Sequence, residues 1–195
     1  MDKKEIIKEI FEFSDEGLID TLTAISTIRE FQYGEIISKA GKIQKNIYFN
    51  ISGIFRGFYI DENNNDITEY FGDKRGALIL SMNAMNEESR LNMQAVNRLL
   101  ALEIPFHQFF TLVQDNQEFG HMYSRILSDA IMWCHEVNRM LNVLSGKEKY
   151  LWFLNTYSNL AEYVRAKDIA SFLHMTPVSL SRIRREIANE SERYE

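Results

Sequence analysis

The sequence predicts an α+β protein in three parts: an N-terminal double-stranded β-helix of jelly-roll type, one long helix, and a C-terminal helix-turn-helix. Three observations carry that expectation. Between about Phe31 and Val113, short apolar or alternating runs are punctuated by glycines. From Gln117 onward, apolar residues recur at helical spacing without a break. From Val164, two short amphipathic helices are joined by a tight turn. The expected boundaries are 1–116 for the barrel, 117–145 for the long helix and 146–195 for the unit that carries the helix-turn-helix.

In the first part, the runs Ile47–Ile51, Ile54–Ile60 and Ile67–Phe71 read as strands. Gly34, Gly41, Gly53, Gly57, Gly72 and Gly76 punctuate them, a spacing that suits an antiparallel sandwich or barrel. Asp61-Glu62-Asn63-Asn64-Asn65-Asp66 has the chemistry of a turn between two strands. The acid-rich stretch from Met1 to Asp20 is unsuited to meeting phosphate.

The second part is a predicted helix over Gln117–Leu144. Phe119, Tyr123, Ile126, Ala130, Trp133, Val137, Met140 and Leu144 follow steps of four and three, the seam of a helix that pairs with another helix. No other segment promises a helix of that length, so the expected partner is the same helix of a second copy. Ser145-Gly146 then interrupts the pattern and offers a hinge.

In the third part, Lys167–His174 places Ile169, Ala170 and Leu173 on one helical face. Thr176 is an N-cap candidate and Pro177 suits the first helical position. Leu180, Ile183 and Ile187 then form a buried stripe, leaving Ser179, Arg182 and Arg185 on the other side. Hydroxyl and guanidinium groups in that arrangement suit phosphates and guanine edges. Small Ala170 allows the two helices to cross closely. The whole chain carries a net charge of −6, yet Arg165–Ile187 holds five basic residues against two acidic ones. Such a patch on an acidic body directs double-stranded DNA to one face.

The 195 residues, 45% of them apolar, suffice for one sizeable core and a small second unit. No run approaches roughly 18 consecutive apolar residues, and MDKKEIIKEI lacks an uninterrupted apolar segment, so a cytoplasmic protein without a membrane partner is expected. A single cysteine, Cys134, excludes a disulfide within one chain and a four-cysteine cluster. Glu35, Asp66, Asp73 and the four histidines are scattered, and no nucleophile–base pair or phosphate loop stands out. The expectation is a non-enzyme without metal or cofactor. The competing class is a ligand-sensing or protein-interaction module that no longer reads DNA.

Beside this reading, FQYGEIISKAGKIQKNIYFNISGIFRGFY (Phe31–Tyr59) resembles the opening strands of the cyclic-nucleotide-binding barrel of the Crp/Fnr transcription regulators, with glycines at Gly34, Gly41 and Gly53 and aromatic Tyr48 and Phe49 before Ser52-Gly53. The tail, with SLSRIR, resembles that family's helix-turn-helix. The resemblance spans the chain in the family's order and implies a homodimeric regulator reading an inverted repeat, with RNA polymerase as a further partner.

It also implies where a ligand and DNA would sit. The family's Gly-Glu-Leu, which holds the ribose of cyclic AMP, corresponds to Gly76-Ala77-Leu78, where the carboxylate is missing. The phosphate-holding Arg-Ser-Ala corresponds to Ser89-Arg90-Leu91, out of its usual order. The barrel is therefore expected to hold a small molecule other than cyclic AMP, or none. A haem member would need an axial ligand, for which His107, His121, His135 and Cys134 are the candidates, none of them at a telling position. On the DNA side, Arg182 matches a base-reading arginine, while Thr176, Ser179 and Arg185 match phosphate contacts and Lys167 starts the preceding helix near the backbone. Pro177 and Val178 stand where the family's other base readers are, and Val178 offers apolar contact to a thymine methyl. His174 replaces the usual turn glycine, and only eight residues follow Ile187, too few for the β-hairpin wing of many relatives.

Overall fold

A computed structural model of the chain describes residues 2–79, 87–158 and 160–191. Among the described residues, eight strands form two antiparallel four-stranded sheets that face each other. One has the order β1 (Thr27–Phe31), β8 (Leu99–Pro105), β3 (Asn46–Ser52), β6 (Leu78–Ile79), and the other β2 (Ile36–Ser38), β7 (Asn92–Ala95), β4 (Phe55–Ile60), β5 (Asp66–Gly72). This is the expected α+β architecture with a jelly-roll barrel.

Phe31, Tyr48, Phe55, Met93, Leu99 and Ala101 fill the space between the sheets. The first sheet is covered on its other side too, which explains why β3 reads as a continuous apolar run rather than an alternating one. Ile47, Phe49 and Ile51 of β3 point away from the barrel interior, as do Leu102 and Ile104 of β8. They pack under α1 (Lys3–Phe11), α2 (Glu16–Ile25), α3 (Phe106–Asp115) and the start of α4 (Gln117–Val143).

The strand-like region differs at both ends from its expected span. It begins at Thr27, and residues 106–115 are helical. Phe106, Phe109, Phe110 and Val113 recur at i, i+3, i+4 and i+7, so tertiary burial of a helical stripe prevails over the local aromatic richness. The acid-rich N-terminus is likewise two helices, the second capped by the Asp15 carboxylate, which accepts from the Gly17 and Leu18 amides. The 61–66 turn joins β4 to β5 with Asn64 in the left-handed region.

Helix α4 ends at Leu144, and Ser145 starts α5 (Gly146–Thr156) with a full capping box against Glu148. After a 3-10 turn at Leu160–Glu162 come α6 (Ala166–Phe172) and α7 (Pro177–Ser191). Residues 192–195 lie outside the described part.

Candidate nucleic-acid interface and barrel cavity

The α6–α7 turn is built by chemistry visible in the sequence. His174 sits at φ +54°, and its amide donates to the Ser171 carbonyl while that of Met175 donates to Ala170. That pair of bonds ends α6 in a Schellman turn, which normally prefers glycine at the His174 position. Thr176 Oγ1 accepts the Ser179 amide at 3.1 Å and lies 2.9 Å from Ser179 Oγ, so Thr176 caps α7 and Pro177 follows as its first residue. Ala170, Leu173 and Leu180 are fully buried, with Ile183 and Ile187 packed against them.

The outer face of α7 carries Val178, Ser181, Arg182 and Arg185 around a shallow groove that begins at Pro177. Lys167, Thr176, Val178, Arg182 and Arg185 are exposed and Ser179 is half-buried. Among the described residues, Lys167, Arg182 and Arg185 form no ion pair. The other basic residues of the segment are used internally. Arg184 donates to the Tyr150 hydroxyl at 3.0 Å and stacks over its ring, and Arg165 pairs with Asp168 at 2.7 Å. On the back of α7, Lys147 holds Glu190 at 2.7 Å and Glu186 at 3.0 Å, and those carboxylates push its pKa up. The open face is thus positive because the acidic side chains are neutralised elsewhere.

The sequence reading missed how firmly this unit is fastened to the barrel. Arg56, in the middle of β4, is 2% exposed. Its guanidinium meets Asp66 at 2.7 Å, the α6 residue Asp168 at 3.1 Å, Thr68 at 2.9 Å and Gln94 at 2.9 Å, and it lies over the Phe58 ring. Each of the three guanidinium nitrogens of this buried cation has a partner, the condition under which such a group is tolerated. Beside it, Ser171 of α6 accepts the Thr68 amide at 2.9 Å, covering the open edge of β5. Phe71 of β5 completes the contact against Phe153, Tyr157 and Phe172. The available signal was an arginine inside the apolar run Ile54-Phe55-Arg56-Gly57-Phe58, but its partner on α6, Asp168, is more than a hundred residues away in sequence.

The expected seam of α4 is used within the protomer. Phe119, Tyr123 and Ile126 pack on the barrel side, and Trp133, Val137, Met140 and Leu144 on the C-terminal unit, with Trp133 stacked on Trp152. Ala130 is exposed at the mouth of a cavity. The physical reason is that this stripe is the more apolar one, and the protomer's own surfaces claim it. What α4 leaves open is the register one residue further on: Ser124, Leu127, Ile131, Cys134 and Asn138, all exposed.

A cavity of about 720 Å³ lies between the β5–β6 connection, α4 and the end of α5. Gly76, Ala77 and Leu78 line it, together with Asp73, Lys74, Arg75, Phe71, Ile126, Trp133 and Tyr157. Ser89 and Arg90 are not in its wall. Ser89 is buried with its hydroxyl on the Leu91 carbonyl at 2.8 Å, and Arg90 is exposed. Among the described residues, no group of three or more His, Cys, Asp or Glu could hold a metal ion, and no helix is long and apolar enough to cross a membrane.

No family model matches the chain, and no curated protein does. Solved structures do. FixK2 from Bradyrhizobium japonicum superposes with a TM-score of 0.72 at 14% identity, over 86% of each chain. A transcriptional regulator of the Crp/Fnr family from Eubacterium rectale gives 0.73 at 14%, over 90% of this chain and 84% of that one. The c-di-GMP responsive regulator CLP of Xanthomonas campestris gives 0.67 at 15%, over 91% and 93%. The chain therefore has the fold of Crp/Fnr regulators along nearly its whole length.

Proposed function

We propose that the chain is a homodimeric DNA-binding transcription regulator whose two α7 helices read an inverted-repeat operator. The observation that carries this is the capped, outward-facing α7 with unpaired Arg182 and Arg185 on an otherwise acidic molecule. Arg182 reads a base edge. Arg185, Lys167 and the Thr176 and Ser179 hydroxyls hold phosphates, and Val178 meets a thymine methyl. The barrel senses a small molecule other than cyclic AMP through the cavity beside Gly76-Ala77-Leu78, where Ala77 lacks the carboxylate that would receive a ribose. RNA polymerase is the partner such a regulator acts on, and residues 1–116, 117–145 and 146–195 divide sensing, pairing and reading.

Selection from random duplex DNA should return half-sites about 10 base pairs apart, centre to centre. Arg182→Ala should cost about 1–3 kcal/mol on that operator and relax one position in each half-site. Arg185→Ala should instead weaken specific and scrambled duplexes alike and flatten the salt dependence, because a phosphate contact releases counterions without reading sequence. Equal loss on both duplexes for Arg182→Ala would remove its base-reading role.

The second copy pairs along the open face of α4, with Leu127, Ile131 and Cys134 at heptad spacing on the two-fold axis. Because Cys134 is the only cysteine, mild oxidation should convert the protein to a disulfide-linked dimer on a non-reducing gel. A wild-type chain that sediments as a monomer at micromolar concentration and does not cross-link would refute this seam. A ligand-sensing module without DNA affinity is the second reading, favoured by apolar Pro177 and Val178 where polar base readers would be expected.

A further inference from the structure

We propose that the cavity between the β5–β6 connection and α4 takes an uncharged, largely apolar small molecule, and that its occupancy reaches the DNA-reading unit through Phe71. The inference rests on the reading of the chain as a ligand-responsive regulator and names the class of ligand for that same cavity.

The size, about 720 Å³, lies inside the roughly 300–1,000 Å³ range of small-molecule sites. The wall is mostly apolar, with Trp133, Phe71 and Ile126 among its residues. Its charges argue against an anion. Two cations line it: Arg75 bonds to Glu9 and to the Ile51 carbonyl, and Lys74 lies over the Trp133 ring. Three carboxylates line it as well: Asp73, Asp129 and Glu136. Glu136 is held by Arg139, which leaves Lys74, Asp73 and Asp129 as the charges of this wall outside any ion pair among the described residues. A phosphate placed here would share the wall with the Asp73 and Asp129 carboxylates while Arg75 is already engaged by Glu9, and an anion without a set of free donors is poorly held. A cation would meet Lys74. Asp73 fits the same picture, because burial raises its pKa and the cavity wall disfavours uncompensated charge.

The route outward is short. Phe71 and Tyr157 both line the cavity, and both rings touch Phe172 of α6. A molecule seated against Phe71 bears on a ring that also touches Phe153 at α5, Tyr157 beyond it and Phe172 of α6, the helix that the Arg56–Asp168 pair pins to the barrel.

The chain carries only two tryptophans, and Trp133 lines the cavity while stacking on Trp152, so intrinsic fluorescence reports occupancy directly. Titration of the full chain with Nile red, an uncharged dye, should quench or shift tryptophan emission at micromolar dye. Cyclic AMP should leave emission unchanged at concentrations a hundredfold higher. Ala130→Phe, at the cavity mouth on an exposed helix position, should weaken dye binding at least tenfold while circular dichroism and the melting temperature stay unchanged. Equal dye affinity in that variant, or saturable binding of cyclic AMP, would overturn the assignment.

With the selected operator, the dye should change the DNA affinity of the wild type, and Phe71→Leu should bind dye yet lose that response. An unchanged response in Phe71→Leu overturns the route. A chain that binds dye in the cavity but no duplex at all overturns the regulator reading and leaves the ligand class standing.

Discussion

Replacing Arg56 with methionine should destabilise the protein by about 3–5 kcal/mol, because it removes the buried cation that Asp66 and Asp168 share and leaves the buried Asp168 carboxylate with only the half-exposed Arg165. For a chain of this size that corresponds to a drop in melting temperature on the order of 10 °C. The loss should not be confined to stability. Asp168 belongs to the first helix of the helix-turn-helix, so freeing it loosens α6 from the β5 edge and unfixes the angle at which α7 is presented. Asp168→Asn tests the same contact more gently, since an amide oxygen still accepts from Arg56. Thermal unfolding of both variants, followed by circular dichroism, should rank Arg56→Met as the more damaging. A shift below about 1 kcal/mol for Arg56→Met would mean that the cluster is rearranged or solvated in solution.

The second large effect is expected from Ile131→Glu. Ile131 is 61% exposed in the protomer, so the substitution removes little from the monomer's own core. At a two-fold seam it would bring two carboxylates together in an apolar contact and leave both unpaired. The dimer should dissociate in sedimentation. Operator affinity should fall at least about 100-fold, roughly 2.7 kcal/mol, as one half-site contact is lost. The melting temperature of the dissociated chain should remain close to that of the wild-type monomer. Trp133→Glu, by contrast, should damage the fold itself, because Trp133 packs between Trp152 and Tyr157. If Ile131→Glu remains a dimer and Trp133→Glu alone dissociates cleanly without unfolding, pairing uses the inward stripe after all.

The contrast between these two neighbouring tryptophan and isoleucine positions shows where sequence reasoning reaches its limit. The existence and ends of α4 were legible to within a residue, since a 27-residue amphipathic pattern closed by Ser145-Gly146 has few other solutions. The helix-turn-helix was equally legible. Thr176, Pro177, Ala170 and the stripe through Leu180 each act within one turn of their own position, and the structure uses Thr176 as cap and His174 as the left-handed residue. The 106–115 helix was legible too, from its aromatic spacing, but was masked by the strand-rich segment before it.

What the sequence determined by itself is therefore the local chemistry: a glycine-punctuated barrel, one long helix, a capped helical hairpin with Arg182 and Arg185 on its open side. Only the tertiary structure decided which stripe of α4 is spent inside the protomer, that Arg184 and Arg165 are engaged by Tyr150 and Asp168 while Arg182 and Arg185 form no ion pair, and that Arg56 reaches across to Asp168. Periodicity fixes the direction in which a side chain leaves its own element. Which surface it then meets depends on shapes assembled from segments far away in the chain, and of two stripes one residue apart on a helix the more apolar is buried only where the rest of the molecule offers it a matching surface.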